Sequence, residues 1–221
     1  MLARMRATGL TQDNGTGRSP MPKSTPAEKT EVSSRRGRPR STEATAAILE
    51  SAYALMADAG LAAASIDAIA RRSEVSKMTI YKWWPSREAL LVDAFLHRAA
   101  QTLPLTGPGD AATRLRRHAA AYAEALRGEF GRVQLAVVSE CIANTGSAEL
   151  FFARYLQHRR SAIVDIIAEG QTGGSITAEG QPADLYDALY GTLFYRYVFG
   201  IAPLSPAAAR RLVDTLLRPR P

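Results

Sequence analysis

The chain has few of the residues that usually announce chemistry. One cysteine in 221 residues, Cys141, allows no disulfide within the chain, which fits a reducing cytoplasm. No His or Asp pattern beside Cys141 marks it as a nucleophile. The three histidines, His97, His118 and His158, fall in no metal motif such as H-E-x-x-H. No glycine-rich loop has the spacing that cradles phosphate, since "QTGGS" follows a helical pattern rather than a strand. The expectation is a protein that is not an enzyme and has no cofactor and no metal site. No run approaches the roughly 20 apolar residues of a membrane helix. The N-terminus lacks the apolar stretch and cleavage site of a secretory signal. A cytoplasmic protein without a membrane partner is therefore expected. Strand-period alternation and internal repeats are also missing.

Positive charge is present in excess and is unevenly placed. Residues 1–40 hold nine Lys/Arg against three Asp/Glu, most of the chain's net charge of +7. That segment is rich in Gly, Pro, Ser, Thr and Arg and has no hydrophobic period, so it is expected to be a disordered basic arm. It also contains other possible starts, Met5 and Met21. A basic arm beside a folded region suits nucleic acid, and it equally suits a solubilising tail.

From Ser41 the pattern is helical. Ile48, Leu49, Ala52, Leu55 and Met56 recur at helical spacing, with Gly60 as a stop, predicting a helix over 42–59. Ser65 caps a short second helix, and Ser76 a third that Pro85 ends near Trp84. Ser86 opens a fourth over 86–102, and further helices are expected at 110–127, 131–144, 147–169, 183–200 and 206–217. The fold class is all-α.

The segment "SIDAIARRSEVSKMTIYKWW" reads as two short helices joined by a tight turn, a helix-turn-helix. Ala70 allows close approach, while Val75 and Ile80 anchor the second helix. The opposite face carries Ser76, Lys77, Met78, Thr79, Tyr81 and Lys82, groups that can reach base edges from a major groove. On spacing alone, two short helices with a solvated polar face fit about as well. Trp83 is expected in the core, and the place of Trp84 is open. In "RRGRPR", Gly37 and Pro39 keep Arg36, Arg38 and Arg40 on an extended strip that suits a minor groove or phosphates.

In order, "RGRPR", a helix with "ILESAYALMADAG" and "SIDAIARRSEVSKMTIYKWWPSREALL" make the chain similar to the TetR family of bacterial regulators over about residues 35–95. The resemblance implies a three-helix DNA-binding domain at 41–86 and a helical ligand-binding and dimerisation domain at 87–221. By that resemblance the third helix is the recognition helix. Lys77, Met78 and Thr79 become candidates for base contact. Tyr81, Lys82, Ser65 and Arg87 become candidates for the DNA backbone. Two departures stand out: Glu74 and Met78 lie where the family often has Gly. If Glu74 is left-handed, it costs roughly 1 kcal/mol.

The C-terminal half has no motif of comparable specificity. The resemblance places an inducer pocket among its helices, with candidates His118, Tyr122, Gln134, Cys141, Phe151, Tyr155 and Phe194, and Asn144 as a further polar group. Taken singly, core packing or exposure explains each of them better. The stretch 183–200 is apolar on more than one face, which suits both a core and a subunit interface. Leu189, Leu193, Tyr197, Leu212 and Leu216 are the interface candidates. The function implied is a homodimeric repressor on a roughly palindromic double-stranded operator, released by a small-molecule inducer. The fourth helix would act as the lever between domains. The alternatives are a constitutive DNA-binding dimer and an activator.

Overall fold

The computed structural model describes residues 41–143, 153 and 156–218. Among these residues every regular element is a helix. Six helix starts follow one rule, whereas those at Gln157 and Pro182 have no side-chain cap. Ser41, Ser65, Ser76, Ser86, Asp110 and Ser205 each have a side-chain oxygen that accepts a hydrogen bond from the backbone N–H three residues on. Each thereby satisfies one of the N–H groups that a helix start leaves without a partner.

The first four helices are α1 (Thr42–Ala59), α2 (Ile66–Ser73), α3 (Lys77–Trp83) and α4 (Arg87–Thr102), with a short 3₁₀ turn at Leu61–Ala63. α1 packs against α2 and α4, and α2 against α3. Ile48, Ala52, Ile69, Ile80, Leu90 and Phe95 are wholly buried between them. Glu74 closes α2 in the left-handed region, with φ 57° and ψ 24°. Among the described residues it is the one non-glycine with positive φ.

Trp84, whose place the sequence leaves open, is the tryptophan in the core, and Trp83, expected there, is not fully buried. Trp84 is 2% exposed, and its indole N–H donates to Asp93 Oδ2 at 2.8 Å. Trp83 is only half-buried. The chain leaves α3 at Trp84, whose backbone is extended (φ −126°, ψ 120°) as the residue before Pro85 must be. Helical phase therefore stops governing where that side chain points.

The later helices are α5 (Ala111–Arg127), α6 (Glu129–Ala143), α7 (Gln157–Thr172), α8 and α9 (Pro206–Leu216). α8 runs as Pro182–Tyr186, a π-helical turn Asp187–Gly191, and Thr192–Phe199. α5 is central and packs against α6, α7, α8 and α9. The break before α6 is shorter than "RGEFG" suggests. Gly128 alone separates α5 from α6, so Glu129 and Phe130 are helical. Gly131 makes this corner possible, because a Cβ there would lie 2.0 Å from the Leu126 carbonyl oxygen. α7 runs to Thr172, past the expected 169. The loop after it sends Ile176 and Ala178 into the core, braced by Gln171 Nε2 on the carbonyls of Ala178 (2.9 Å) and Gly180 (3.0 Å). α4 and α1 both pack on α6. Phe95 meets Phe130 with ring centroids 5.0 Å apart, so a single core runs from the first helices into the later ones.

Candidate DNA interface and C-terminal cavity

α3 is held by its one fully buried residue, Ile80, with Trp83 partly buried beside the core, and presents Lys77, Met78, Tyr81 and Lys82 outward. Met78 is 84% and Tyr81 58% exposed, and Lys77 and Lys82 are exposed beside them. An apolar side chain as open as Met78 on a seven-residue helix contributes nothing to this core. Thr79 is half-buried, and its hydroxyl lies 3.0 Å from that of Ser76, so the two belong to the cap. Ser65, which caps α2, is exposed as well. Lys77 Nζ pairs with Asp67 at 2.8 Å, and that hydrogen bond and charge hold the Asp67 carboxyl below its usual range. The pair is solvent-exposed and therefore weak. Lys77 can trade it for a phosphate or a base edge.

Arg87 faces inward. Its Nε donates to the Ala64 carbonyl at 3.0 Å and its Nη2 to the Leu61 carbonyl. Its Nη1 is 3.6 Å from Glu140 of α6 and 3.9 Å from Glu88. One guanidinium thus joins the chain before α2, the start of α4 and the middle of α6. Arg36, Arg38 and Arg40 lie outside the described residues.

A cavity of about 40 Å³ opens between α5, α6, α7 and α8. It brings together three of the expected ligand residues, His118, Tyr122 and Gln134, and adds Arg159, Tyr186 and Tyr190. Cys141 is elsewhere, in a crevice with Leu91, Val92 and Val137, where burial and then Glu140 and Glu88 push its thiol pKa up. Phe194 packs near Tyr197, centroids 6.2 Å apart, and is not part of the cavity wall. Phe151, Tyr155 and Asn144 lie outside the described residues.

The cavity wall is a polar chain with a defined direction. Arg159 Nη2 lies 2.7 Å from the Leu103 carbonyl and 3.3 Å from His118 Nε2, and Nη1 lies 3.4 Å from the Ala99 carbonyl. A guanidinium only donates, so Nε2 of His118 accepts. The ring proton then sits on Nδ1 and is donated to Tyr190 Oη, 2.7 Å away. Burial, with Arg159 beside it, lowers the His118 pKa to about 3, so the ring is neutral near pH 7. Burial also raises Tyr186 to about 12 and Tyr190 well above its ordinary value. Gln134 Nε2 donates to Tyr122 Oη at 2.9 Å, while Gln134 Oε1 is buried with no hydrogen-bond partner.

Of the interface candidates, Leu189 and Leu193 are buried in the protomer's own core, and Tyr197, Leu212 and Leu216 are half-buried against it. The apolar side chains that α8 and its exit expose are Tyr195, Val198, Phe199 and Ile201. Among the described residues, no cluster of His, Cys, Asp or Glu could hold a metal ion, and no helix is long and apolar enough to cross a membrane.

Two family models match the chain: that of the bacterial regulatory proteins of the tetR family over residues 48–94, and the tetracyclin repressor-like C-terminal domain over residues 105–216. The uncharacterized HTH-type transcriptional regulator YdeS of Bacillus subtilis is 32% identical over 182 residues, 82% of this chain and 92% of its own length. Among solved structures, the TetR family transcription regulator SCO0332 superposes with a TM-score of 0.70 at 28% identity, over 79% of this chain and 97% of its own. A transcriptional regulator from Saccharomonospora viridis, solved in complex with choline, gives 0.56 at 23% identity over 79% and 95%.

Proposed function

Because the chain belongs to the TetR family and is a DNA-binding transcriptional regulator, we propose that it acts as a dimeric repressor, released from its operator by a small molecule in the C-terminal cavity. The supporting observation is the placement of α4. Its first residue, Arg87, holds the backbone just before α2, while the carbonyls of Ala99 and Leu103 at its other end are held by Arg159 of the cavity wall. A ligand that engages Arg159 competes for the group that fixes the end of α4. Ligand and DNA then oppose one another through a reciprocal coupling, typically about 1–3 kcal/mol. A choline complex in a protein of the same fold fits a ligand-responsive C-terminal domain.

Lys77, Met78 and Thr79 are assigned to base edges, and Tyr81, Lys82 and Ser65 to the DNA backbone. Arg36, Arg38 and Arg40 are assigned to the minor groove or flanking phosphates. Arg87 is assigned to the joint between domains, since its donors already face carbonyls and carboxylates. The subunit interface is assigned to Tyr195, Val198, Phe199 and Ile201, with Tyr197, Leu212 and Leu216 beside them. Two copies so joined present two recognition helices to a roughly palindromic site.

The test is selection of a preferred DNA sequence, followed by binding in a salt series. Lys77→Ala, Tyr81→Ala and Lys82→Ala together remove selective binding and flatten the salt dependence by about one phosphate contact, that of Lys82. If wild type selects no sequence, the repressor assignment fails. The small size of the cavity favours one alternative, a constitutive DNA-binding dimer. Operator affinity that no bound ligand changes would establish it.

A further inference from the structure

Among the described residues, the cavity wall carries one formal positive charge, that of Arg159, and no negative one. Arg159 donates to two carbonyls and to the neutral His118, and no carboxylate among the described residues pairs with it. A cation placed so is short of compensation, and an anion that reaches it gains a charge-assisted hydrogen bond. The direction of the polar chain adds a second donor. Because His118 Nδ1–H is directed at Tyr190 Oη, the phenol cannot donate back to the ring, and its own O–H is left to donate elsewhere. On another part of the wall, Gln134 Oε1 is an acceptor with nothing to accept from, in a residue 6% exposed. The stacked rings of Tyr186 and Tyr190, centroids 4.8 Å apart at 26°, and Leu103 and Ile163 supply flat apolar wall.

We propose that this cavity binds a small monoanionic carboxylate that also carries a hydroxyl. The carboxylate sits on the Arg159 guanidinium and the Tyr190 hydroxyl, the hydroxyl donates to Gln134 Oε1, and the apolar body lies against the tyrosine rings. That such a ligand acts as the inducer rests on the reading above, whereas the binding chemistry does not. A volume of about 40 Å³ holds little more than one water molecule, so the ligand selects a wider arrangement of these helices. A carboxylate that draws on the Nη1 or Nη2 hydrogens of Arg159 weakens its hold on Ala99 and Leu103, which ties occupancy to the position of α4.

The experiment is calorimetric titration of the full chain with three matched sets of probes: 2-, 3- and 4-hydroxybenzoate, the corresponding neutral hydroxybenzamides, and the corresponding hydroxybenzylamines. At least one hydroxybenzoate is expected to bind about tenfold tighter than its amide and than benzoate, and the amines are expected not to bind. Arg159→Gln abolishes the preference for carboxylate over amide. Tyr190→Phe, which keeps the ring stack, weakens the carboxylates by about fivefold and serves if the arginine variant does not fold. Equal binding of amides, preference for amines, or no binding of any hydroxybenzoate at millimolar concentration overturns the proposal. Operator release is measured alongside. Hydroxybenzoate that binds without releasing DNA removes the inducer reading and keeps the carboxylate site. An amine or amide that releases DNA keeps the inducer reading and removes the carboxylate site.

Discussion

Lowering the pH from 7 to 5 attacks the cavity through a single buried ring. In the unfolded chain His118 takes up a proton near its ordinary pKa of 6.5, whereas in the folded chain it does so only at about 3. Between those values the unfolded state binds more protons, so stability falls as the pH falls. The full contribution is present above pH 6.5 and disappears progressively down to about 3. Each pH step within the window removes roughly 1.4 kcal/mol, and the change from pH 7 to pH 5 amounts to about 2 kcal/mol per chain. His118 is 8% exposed, so solvent screening does not erase the effect. Asp67 and Asp110 have lowered carboxyl pKa values and begin to contribute only at more acid pH. Urea unfolding followed by tryptophan fluorescence at pH 7, 6 and 5, for wild type and His118→Gln, measures this directly. A glutamine amide can still accept from Arg159 and donate to Tyr190, so the variant removes the titration while retaining the hydrogen bonds. Wild type should lose about 2 kcal/mol more than the variant over this range. Parallel pH profiles would refute the reasoning, and so would a His118 ring resonance that titrates near 6.5 in the folded protein.

Three further outcomes follow from other elements. Glu74→Gly relieves a left-handed residue costing roughly 1 kcal/mol, is partly offset by glycine's greater freedom when unfolded, and should raise stability by about 0.5 kcal/mol, read as a higher urea midpoint. A lower midpoint would contradict this. Trp84→Phe leaves Asp93 without its 2.8 Å donor and should cost about 2 kcal/mol in the same assay; Trp83→Phe should cost less than about 1, and the reverse order would show the burial assignment to be wrong. Phe199→Glu places a charge on a side chain 63% exposed in the single chain. It should shift the protein from dimer to monomer in light scattering with little effect on the chain's own fold, and an unchanged dimer would exclude this face.

Much of the local architecture could be read from the sequence because it is encoded locally. Ser65, Ser76 and Ser86 each cap the helix that follows, and the apolar period of α1 gives Ile48, Leu49, Ala52 and Met56 as buried but misses Ser51 and Tyr53. The left-handed residue at Glu74 is signalled by the family resemblance, since the family often has Gly at that position, and not by any local pattern. What stayed hidden depends on contacts far apart in the chain or on which of two uses an apolar face serves. Nothing in "QHRRSAI" beyond a helical pattern marks Arg159, which turns inward to carbonyls 56 and 60 residues away. Tyr186, Leu189, Tyr190 and Leu193 are buried at ordinary helical spacing, and the pattern that offered Leu189 and Leu193 to a subunit interface does not distinguish that use from the protomer's own core. Cys141 and Phe194 were grouped with His118 by region alone, and the helix faces they occupy separate them from it.

The seam between α4 and α6 bears on how this protein can be cut and recombined. Leu91, Val92 and Phe95 are buried on α4, with Phe130, Val137 and Cys141 of α6 across from them. A fragment that stops after Thr102 would turn that face to water, at roughly 1.5–3 kcal/mol for each large side chain, and would strip Arg87 of Glu140. The DNA-reading helices are therefore not a cassette that can be transplanted at the loop after α4. A chimera that exchanges operator specificity must bring α6, or a substitute with the same apolar face, along with the helices that touch DNA.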